Sequence, residues 1–286
     1  MEDLTVDAIV VNYNTKDLLR ACIASLVASA YPLHRIFVVD NASGDGSAEM
    51  VRTEFPGVEL LAMPENLGFA RGNNAAFERS DAAATLLLNS DAEIPPDALG
   101  LMATELLSDP KVGIVGPVLV GTDGRVQYEG GRRDPSIMGE FGNIAHLNTR
   151  RPAGALGRYL MNDWDHRTTR DLEVLSGACM LIRREALAGR LFRDDFFMYG
   201  EDIELCQRLR AEGWKMRYLG TAEVLHHGGA ASKKARTKMR VAGVVSMAQL
   251  LARNRSWLYA AGYLAIVPIA WPLGVLVNRF GRSECS

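Results

Sequence analysis

Four times within the first hundred or so residues, a short apolar run ends in a cluster of Asn, Asp, Ser or Gly and is followed by apolar residues at helical spacing. Val6 to Val11 stops at Asn12-Tyr13-Asn14-Thr15, ahead of Leu18, Leu19, Cys22, Ile23 and Leu26. Ile36 to Val39 stops at Asp40 to Ser47, ahead of Met50, Val51 and Phe55, and Val58 to Ala62 stops at Pro64 to Asn74, ahead of a helix through Ala75, Ala76 and Phe77. Thr85 to Leu88 stops at Asn89-Ser90-Asp91-Ala92-Glu93, ahead of an amphipathic pattern over Asp97 to Leu107. Runs of this kind are strands buried on both faces, and strands that alternate with helices need right-handed crossovers in a parallel sheet. Such a sheet delivers every polar loop to one rim, the carboxyl edge where open α/β sheets bind ligands. An acid after a strand commonly just starts the next helix. Four polar loops meeting on one rim make Asp91 a candidate ligand instead.

The motifs narrow the chemistry. No Gly-x-Gly-x-x-Gly opens the first helix and no Gly-x4-Gly-Lys-[Ser/Thr] occurs, so dinucleotide oxidoreductases and P-loop NTPases lose their main support. Gly68 and Gly72 flank Arg71 at the head of a helix, an arrangement that suits a phosphate, although packing alone would also account for the glycines. Further on, Val112 to Val115, Pro117 to Val120 and Val126 to Tyr128 are predicted as short strands, the last two joined through a turn at Gly121 to Gly124. Residues 130 to 170 lack periodicity and read as a long loop over the rim. Val174 to Arg183 is predicted as one strand in which Ser176-Gly177-Ala178 permits close backbone approach. Ile203, Cys206 and Leu209 share a helical face that Gly213 ends, which puts Glu201 and Asp202 in the first turn. Acids there complement the helix dipole. The preceding aromatics, Phe196, Phe197 and Tyr199, supply a partly apolar wall in which a carboxylate is tuned as a base. Trp214, Met216 and Tyr218 alternate as a strand leading to His226 and His227, imidazoles within reach of the same rim.

Composition adds bounds. With 48% hydrophobic residues over 286 positions the chain can bury a large core, and its four cysteines are scattered without a CxxC, so they read as reduced and structural. No basic segment followed by an apolar one opens the chain, which predicts that the catalytic part stays in the cytoplasm. Charge is divided unevenly: residues 224 to 283 carry nine Lys and Arg and no acid. There Lys233, Lys234, Arg236, Lys238 and Arg240 precede Trp257 to Val277, which carries no charge and is long enough to span a bilayer. Gly262, Pro268, Pro272 and Gly274 interrupt it, and Trp257, Tyr259, Tyr263 and Trp271 are interfacial residue types. The segment is expected to form a helix or helical hairpin lying in the inner leaflet, drawn to anionic lipid; the competing expectation is a tail packed on the protein or a neighbouring subunit.

Seven motifs in order carry a family resemblance: Val10 to Asn14, Val38 to Ser47, Asn66 to Asn74, Leu87 to Asp91, Ser176 to Ala178, Gly200 to Asp202 and His226 to Gly229. Together they resemble the family 2 inverting glycosyltransferases of GT-A fold, and most of all their bacterial rhamnosyltransferase branch. The resemblance implies an α/β fold, with a mostly parallel central sheet and helices on both faces, followed by a C-terminal helical hydrophobic tail. It implies a GT-A domain over 1–232, its nucleotide-binding half at 1–110 and its acceptor half at 111–232, and a membrane-associated segment at 233–286. A nucleotide-diphosphate sugar would be bound by Asn12, Asn14, Asp40, Asn66, Gly68, Arg71, Asn74 and Ser90. Asp91 would hold Mg²⁺ or Mn²⁺, joined by His226 or its neighbour His227 and, less directly, by Glu93, since Asp91-Ala92-Glu93 departs from the family's Asp-x-Asp. One or two carboxylates suffice for Mg²⁺ when substrate phosphates complete its shell. Asp202 would be the general base, with Ser176, Gly177 and Glu201 on the acceptor side. The implied reaction moves a sugar, L-rhamnose from dTDP-rhamnose as the best match, to a hydroxyl of a lipid-linked or cell-surface glycan at the cytoplasmic face of the inner membrane. A homodimer is compatible with it and a nucleic-acid partner is not expected. Two readings compete: a nucleotide-sugar-binding subunit without turnover, and a nucleotidyltransferase, for which Lys16 is present but a phosphate-cradling glycine loop is not.

Overall fold

Each predicted apolar run near the N-terminus forms a strand, and each following pattern a helix, in the computed structural model, which describes residues 4–148, 154–228 and 236–281. The strands are β1 (Val6–Asn12), β2 (Arg35–Asp40), β3 (Glu59–Ala62), β4 (Ala84–Leu88), β5 (Ala92–Glu93), β6 (Val112–Val120), β7 (Gly131–Arg132), β8 (Arg170–Leu172), β9 (Val174–Leu175), β10 (Cys179–Arg183) and β11 (Lys215–His226). The helices are α1 (Lys16–Val27), α2 (Ser47–Glu54), α3 (Gly68–Phe77), α4 (Ala98–Ser108), α5 (Ile137–Ile144), α6 (Glu201–Ala211), α7 (Arg236–Asn254) and α8 (Trp257–Gly281).

Nine strands form one sheet in the order β3-β2-β1-β4-β10-β6-β11-β5, with β8 added beside β11. The first four are mutually parallel, β10 runs against both β4 and β6, and β11 returns parallel to β6. Strand alternation splits the core in two layers. Val6, Ala8, Val10 and Leu86 face one side with α1 and α4, whereas Ile9, Phe37, Val39 and Leu87 face the other with α3 and α6. The sheet is thus mostly parallel, with helices on both faces.

Four local expectations are corrected. Residues 112–120 make one strand, not two: Pro117 lacks an N–H, and the register of β11 shifts between Leu219 and Glu223, just past its partner Leu219. Residues 126–128 are not a strand; only a bridge from Val120 to Val126 forms before a 3₁₀ turn at Tyr128–Gly130. The 174–183 segment breaks at Ser176-Gly177-Ala178 into β9, which pairs with β7, and β10 in the main sheet. Finally, the 130–170 stretch is not a plain loop. It holds β7 and α5, whose N-cap Ser136 accepts a hydrogen bond from the Gly139 N–H at 3.1 Å.

The tail packs on the protein along one stripe, as one helix and not a hairpin. In α8, Ala260, Tyr263, Val267 and Ala270 recur at helical spacing and are buried against α5 and α7. Gly274 allows the closest approach, since a Cβ there would lie 2.4 Å from the Ile144 carbonyl oxygen. Its opposite face leaves Trp257 72%, Leu258 63% and Ile269 62% exposed. Residues 257–277 therefore belong to one long helix, apolar and long enough to cross a membrane, of which one stripe packs on the protein. The basic Lys233 and Lys234 lie outside the described residues.

Candidate functional site

The carboxyl ends of β1 and β2 fold onto each other through side chains. Asn12 donates to Asp40 Oδ1 at 2.8 Å and to Ser43 Oγ at 3.1 Å, and its own oxygen accepts from Thr15 at 2.6 Å. Asp40 Oδ2 accepts the Ser43 N–H, and Asn14, in the left-handed region at φ 56°, accepts the Gly44 N–H. Thr15 also meets Ser90 at 3.0 Å, which ties this loop to the end of β4. Asn12, Asp40 and Ser90 are all buried.

The loop into α3 is held from the far side. Asn66 accepts the Gly68 N–H, Gly68 sits at φ 81°, and a Cβ there would lie 2.3 Å from the Phe197 carbonyl oxygen. The Phe69 N–H donates to that same oxygen. Asn74 spends its amide on the Phe192 backbone, with a further bond to Asp194 Oδ1, so it clamps α3 to the 192–197 segment. Arg71 is exposed and donates to the Asp194 carbonyl at 3.3 Å.

Strand pairing brings Asp91 and His226 together. Antiparallel β5 and β11 align Ala92 with His226 and Glu93 with Leu225. Asp91 Oδ1 then lies 3.4 Å from His226 Nε2, while Glu93 turns to His227 Nε2 at 2.8 Å. Gln127 grips His226 twice: its amide donates to the His226 carbonyl at 2.7 Å, and its oxygen lies 2.6 Å from Nδ1. An amide oxygen only accepts, so Nδ1 carries a proton, and Nε2 lies between the Asp91 carboxylate and the Asn89 amide, 3.4 Å from each. A carboxylate oxygen and an imidazole nitrogen set side by side fit a divalent cation. Gln127 carried no sequence signal, because its partner lies 99 residues away.

A second cluster of metal-type ligands, Asp7, His34 and Asp81, lies by the amino ends of β1, β2 and β4. Arg35 donates to both Asp7 and Asp81, so a cation already occupies that cluster.

Beside the rim stands Asp202. Its Oδ2 accepts from Arg132 at 2.7 Å and from the Gly177 N–H at 3.4 Å, and its Oδ1 accepts the Ile203 N–H at 2.8 Å. The neighbouring Ala178 carbonyl receives the Asn89 N–H at 2.9 Å, so the Gly177–Ala178 strip joins Asp202 to the turn that carries Asp91. Arg132 is presented by the short β7–β9 ribbon, in which the Ser176 N–H donates to the Gly130 carbonyl. It also donates to the Tyr159 hydroxyl and the Glu129 carbonyl. Burial works against the Arg132 charge, and Asp202 and Tyr159 more than restore it, so the guanidinium stays protonated.

Two further carboxyls flank this ion pair. Burial, and then the charge of Asp202, push Glu201 up to about 8, and Glu201 Oε2 has no partner among the described residues. Burial pushes Glu140 up to about 7 against the pull of Arg132 and a hydrogen bond from Tyr159, and Glu140 Oε1 is likewise without a partner. Arg132, Glu140, Ser176, Glu201 and Asp202 line one cavity of about 580 Å³ that continues to α7 and α8. Arg132 and Glu140 escaped the sequence reading because they lie in the segment without periodicity.

A model of glycosyl transferase family 2 matches residues 7–190. The N-acetylglucosaminyl-diphospho-decaprenol L-rhamnosyltransferase of Mycobacterium tuberculosis (strain ATCC 25618 / H37Rv) is 28% identical over 232 residues, spanning 77% of this chain and 75% of its own length. The O-antigen biosynthesis protein RfbC of Myxococcus xanthus is 28% identical over 225 residues, 76% of this chain and 17% of its own. Among solved structures, mannosyltransferase PcManGT from Pyrobaculum calidifontis, in complex with GDP-Man and Mn²⁺, superposes with a TM-score of 0.60 at 20% identity, covering 99% of this chain and 76% of that one. TarS 1–349 of S. aureus in complex with UDP gives 0.56 at 16% identity, covering 92% and 70%. These structures share the GT-A fold.

Proposed function

The chain belongs to glycosyl transferase family 2, and from that premise we propose that it transfers L-rhamnose from dTDP-rhamnose to a hydroxyl of a lipid-linked glycan, with inversion at the anomeric carbon. The sugar and the acceptor rest on the mycobacterial relative, whose name gives a rhamnosyl donor group and a decaprenyl-linked acceptor. The catalytic arrangement rests on one observation: Asp202 and the Asp91–His226 pair are joined through the Gly177–Ala178 strip. A leaving group and an attacking hydroxyl need that arrangement, a cationic site on one side of the sugar and a base on the other.

In this reading residues 1–110 hold the nucleotide and 111–232 the acceptor. Asn12, Asn14 and Asp40 shape the base and ribose pocket, and the bonds from Asn12 to Asp40 and from the Gly44 N–H to Asn14 keep it formed before the donor arrives. Asp91 and His226 would hold Mg²⁺ or Mn²⁺, which when bound neutralises charge on the diphosphate. Glu93 is engaged by His227 and does not complete the set. Arg71 stands exposed at the head of α3 and adds a second positive charge near the phosphates. Asp202 takes the acceptor proton: Oδ1 has one lone pair on the Ile203 N–H and keeps another for a hydroxyl. Glu201, pushed up to about 8, is protonated near neutrality and acts as a hydrogen-bond donor instead. The exposed apolar face of α8 seats the enzyme on the cytoplasmic face of the inner membrane, where a lipid-linked acceptor resides.

The test is a panel of nucleotide sugars incubated with Mg²⁺ or Mn²⁺, scored by nucleotide release with and without a polyprenyl-diphosphate-linked sugar. Release from dTDP-rhamnose that rises with the acceptor supports the reading. Release from UDP- or GDP-sugars alone replaces the donor, and binding without release from any donor leaves a non-catalytic nucleotide-sugar-binding subunit.

A further inference from the structure

The segment from Phe192 to Gly200 is gripped from two sides. On one side it meets the loop into α3: the Phe197 carbonyl accepts the Phe69 N–H at 2.9 Å, and Asn74 bonds to the Phe192 backbone and to Asp194. On the other side stands α7. The Ser246 hydroxyl donates to the Met198 carbonyl at 2.9 Å, Arg253 pairs with Asp195, and Gly243 faces the Tyr199 ring, where a Cβ would lie 3.4 Å from Cδ2. Leu250 joins Phe192 and Phe196 in one core cluster. A serine inside a helix commonly turns its hydroxyl back on its own helix, but buried Ser246 spends it on a separate segment. That segment needs holding. Tyr199 and Gly200 are both left-handed, at φ 68° and 89°, and a residue other than glycine keeps that conformation only where its surroundings fix it.

We propose that α7 supports the donor site, with Ser246 as a positioning residue: through the Met198 carbonyl it fixes the Phe197 backbone on which the Gly68–Phe69 turn rests. The inference rests on the proposed function, in which the head of α3 meets the diphosphate. Gly68 leaves no slack in this contact, since a Cβ there would lie 2.3 Å from the Phe197 carbonyl oxygen, so a shift of the 197–198 backbone is passed on to the turn. Asp202 is held separately, by Arg132 and the Gly177 N–H, and the effect of Ser246 therefore falls on donor affinity more than on turnover. Both α7 and the 192–200 segment lie beyond residues 7–190, the part that the family model matches. The tail thus has a task besides meeting lipid.

Full-length protein carrying Ser246→Ala is compared with wild type, with Ser246→Thr, which keeps the hydroxyl, and with Val245→Ala on the exposed face of α7. Two readouts are taken well below the melting temperature. One is amide hydrogen exchange at Phe69 relative to the amides of β1, which a general loss of stability would speed alike. The other is KM and kcat for the donor that releases nucleotide in the panel above. Ser246→Ala is expected to speed Phe69 exchange and to raise the donor KM about fivefold, the factor given by a hydrogen bond worth about 1 kcal/mol, with kcat held within about twofold. Ser246→Thr and Val245→Ala should match wild type. Either readout unchanged in Ser246→Ala, Ala and Thr variants that behave alike, or a larger effect on kcat than on KM overturns the proposal. If Ser246→Ala fails to melt cooperatively, Arg253→Gln, which frees Asp195 in the same segment, is read by the same measurements. Faster Phe69 exchange in Ser246→Ala, in a protein that releases no nucleotide from any donor, upholds the support of the turn and rejects transfer. Nucleotide release with wild-type exchange and KM in every variant does the reverse.

Discussion

The rim at the ends of β1 and β2 and the wall around Asp202 use the same residue types in opposite ways. On the donor side Asn12, Asp40, Ser43 and Thr15 satisfy one another, so the loops at the ends of β1 and β2 are held by hydrogen bonds before any ligand binds. Around Asp202 one ion pair, with Arg132, is complete, while Glu140 and Glu201 each bury an oxygen that has no hydrogen-bond partner among the described residues. A closed network fixes a shape, whereas buried unpaired carboxyl oxygens are held at an energetic cost. In the proposed reading the loops that take the nucleotide are preorganised by their own hydrogen bonds, and the wall around the proposed base stores unpaired carboxyls instead.

Four substitutions can break or sharpen that contrast. Arg132→Leu should have the largest effect, because it strands Asp202 as a buried charge without its partner; a loss of about 3–5 kcal/mol in denaturant unfolding is expected, and transfer falls with it. Gly68→Ala should cost about 2 kcal/mol or more, since a Cβ would meet the Phe197 carbonyl at 2.3 Å from a backbone at φ 81°; a Tm shift of several degrees checks it. Gln127→Leu should weaken Mn²⁺ binding about tenfold, near 1.4 kcal/mol, by releasing the His226 ring while donor binding without metal is kept; calorimetry with and without the ion separates the two. Glu201→Gln should change stability least at low pH, where the carboxyl it replaces is neutral, and its effect is read in the pH profile. A carboxyl whose pKa is raised on folding adds stability below its ordinary value of 4.5 and loses it as pH climbs toward about 8. The wild type should therefore lose stability over that window by at most about 1.4 kcal/mol per pH unit from this group, and the Gln variant should show a flatter profile.

What was legible in the sequence follows the same divide. The strands β1 to β4 and helices α1, α2 and α4 are written in local runs and were placed to within a few positions, whereas α3 begins at Gly68, inside the stretch read as loop to Asn74, and β5 lies where only a polar loop was read; the convergence of the loops followed from parallel topology alone. The acceptor side was not local. Arg132 matters because of Asp202, 70 residues away, and Gln127 because of His226, 99 residues away. The face of α5 packs on α8, an apolar partner more than a hundred residues downstream, so nothing near Ile137 announces a helix except the cap at Ser136. Pro117 suggested a strand break, and the register shift in β11 that accommodates it could not be seen from the strand that carries the proline. Asp202 itself was placed by its position in the first turn of α6 and by the family resemblance; the Arg132 that holds it was not.

The most direct test of the account is Asp202→Asn, assayed for both sugar transfer and donor binding. The side chain keeps its size and can still accept from Ile203 N–H, yet it cannot take a proton. The account predicts transfer reduced about 10²–10⁴-fold, the usual contribution of a general base, with nucleotide-sugar affinity in the presence of Mn²⁺ essentially unchanged. Transfer within a few-fold of wild type would contradict it and move the base to another group in the cavity.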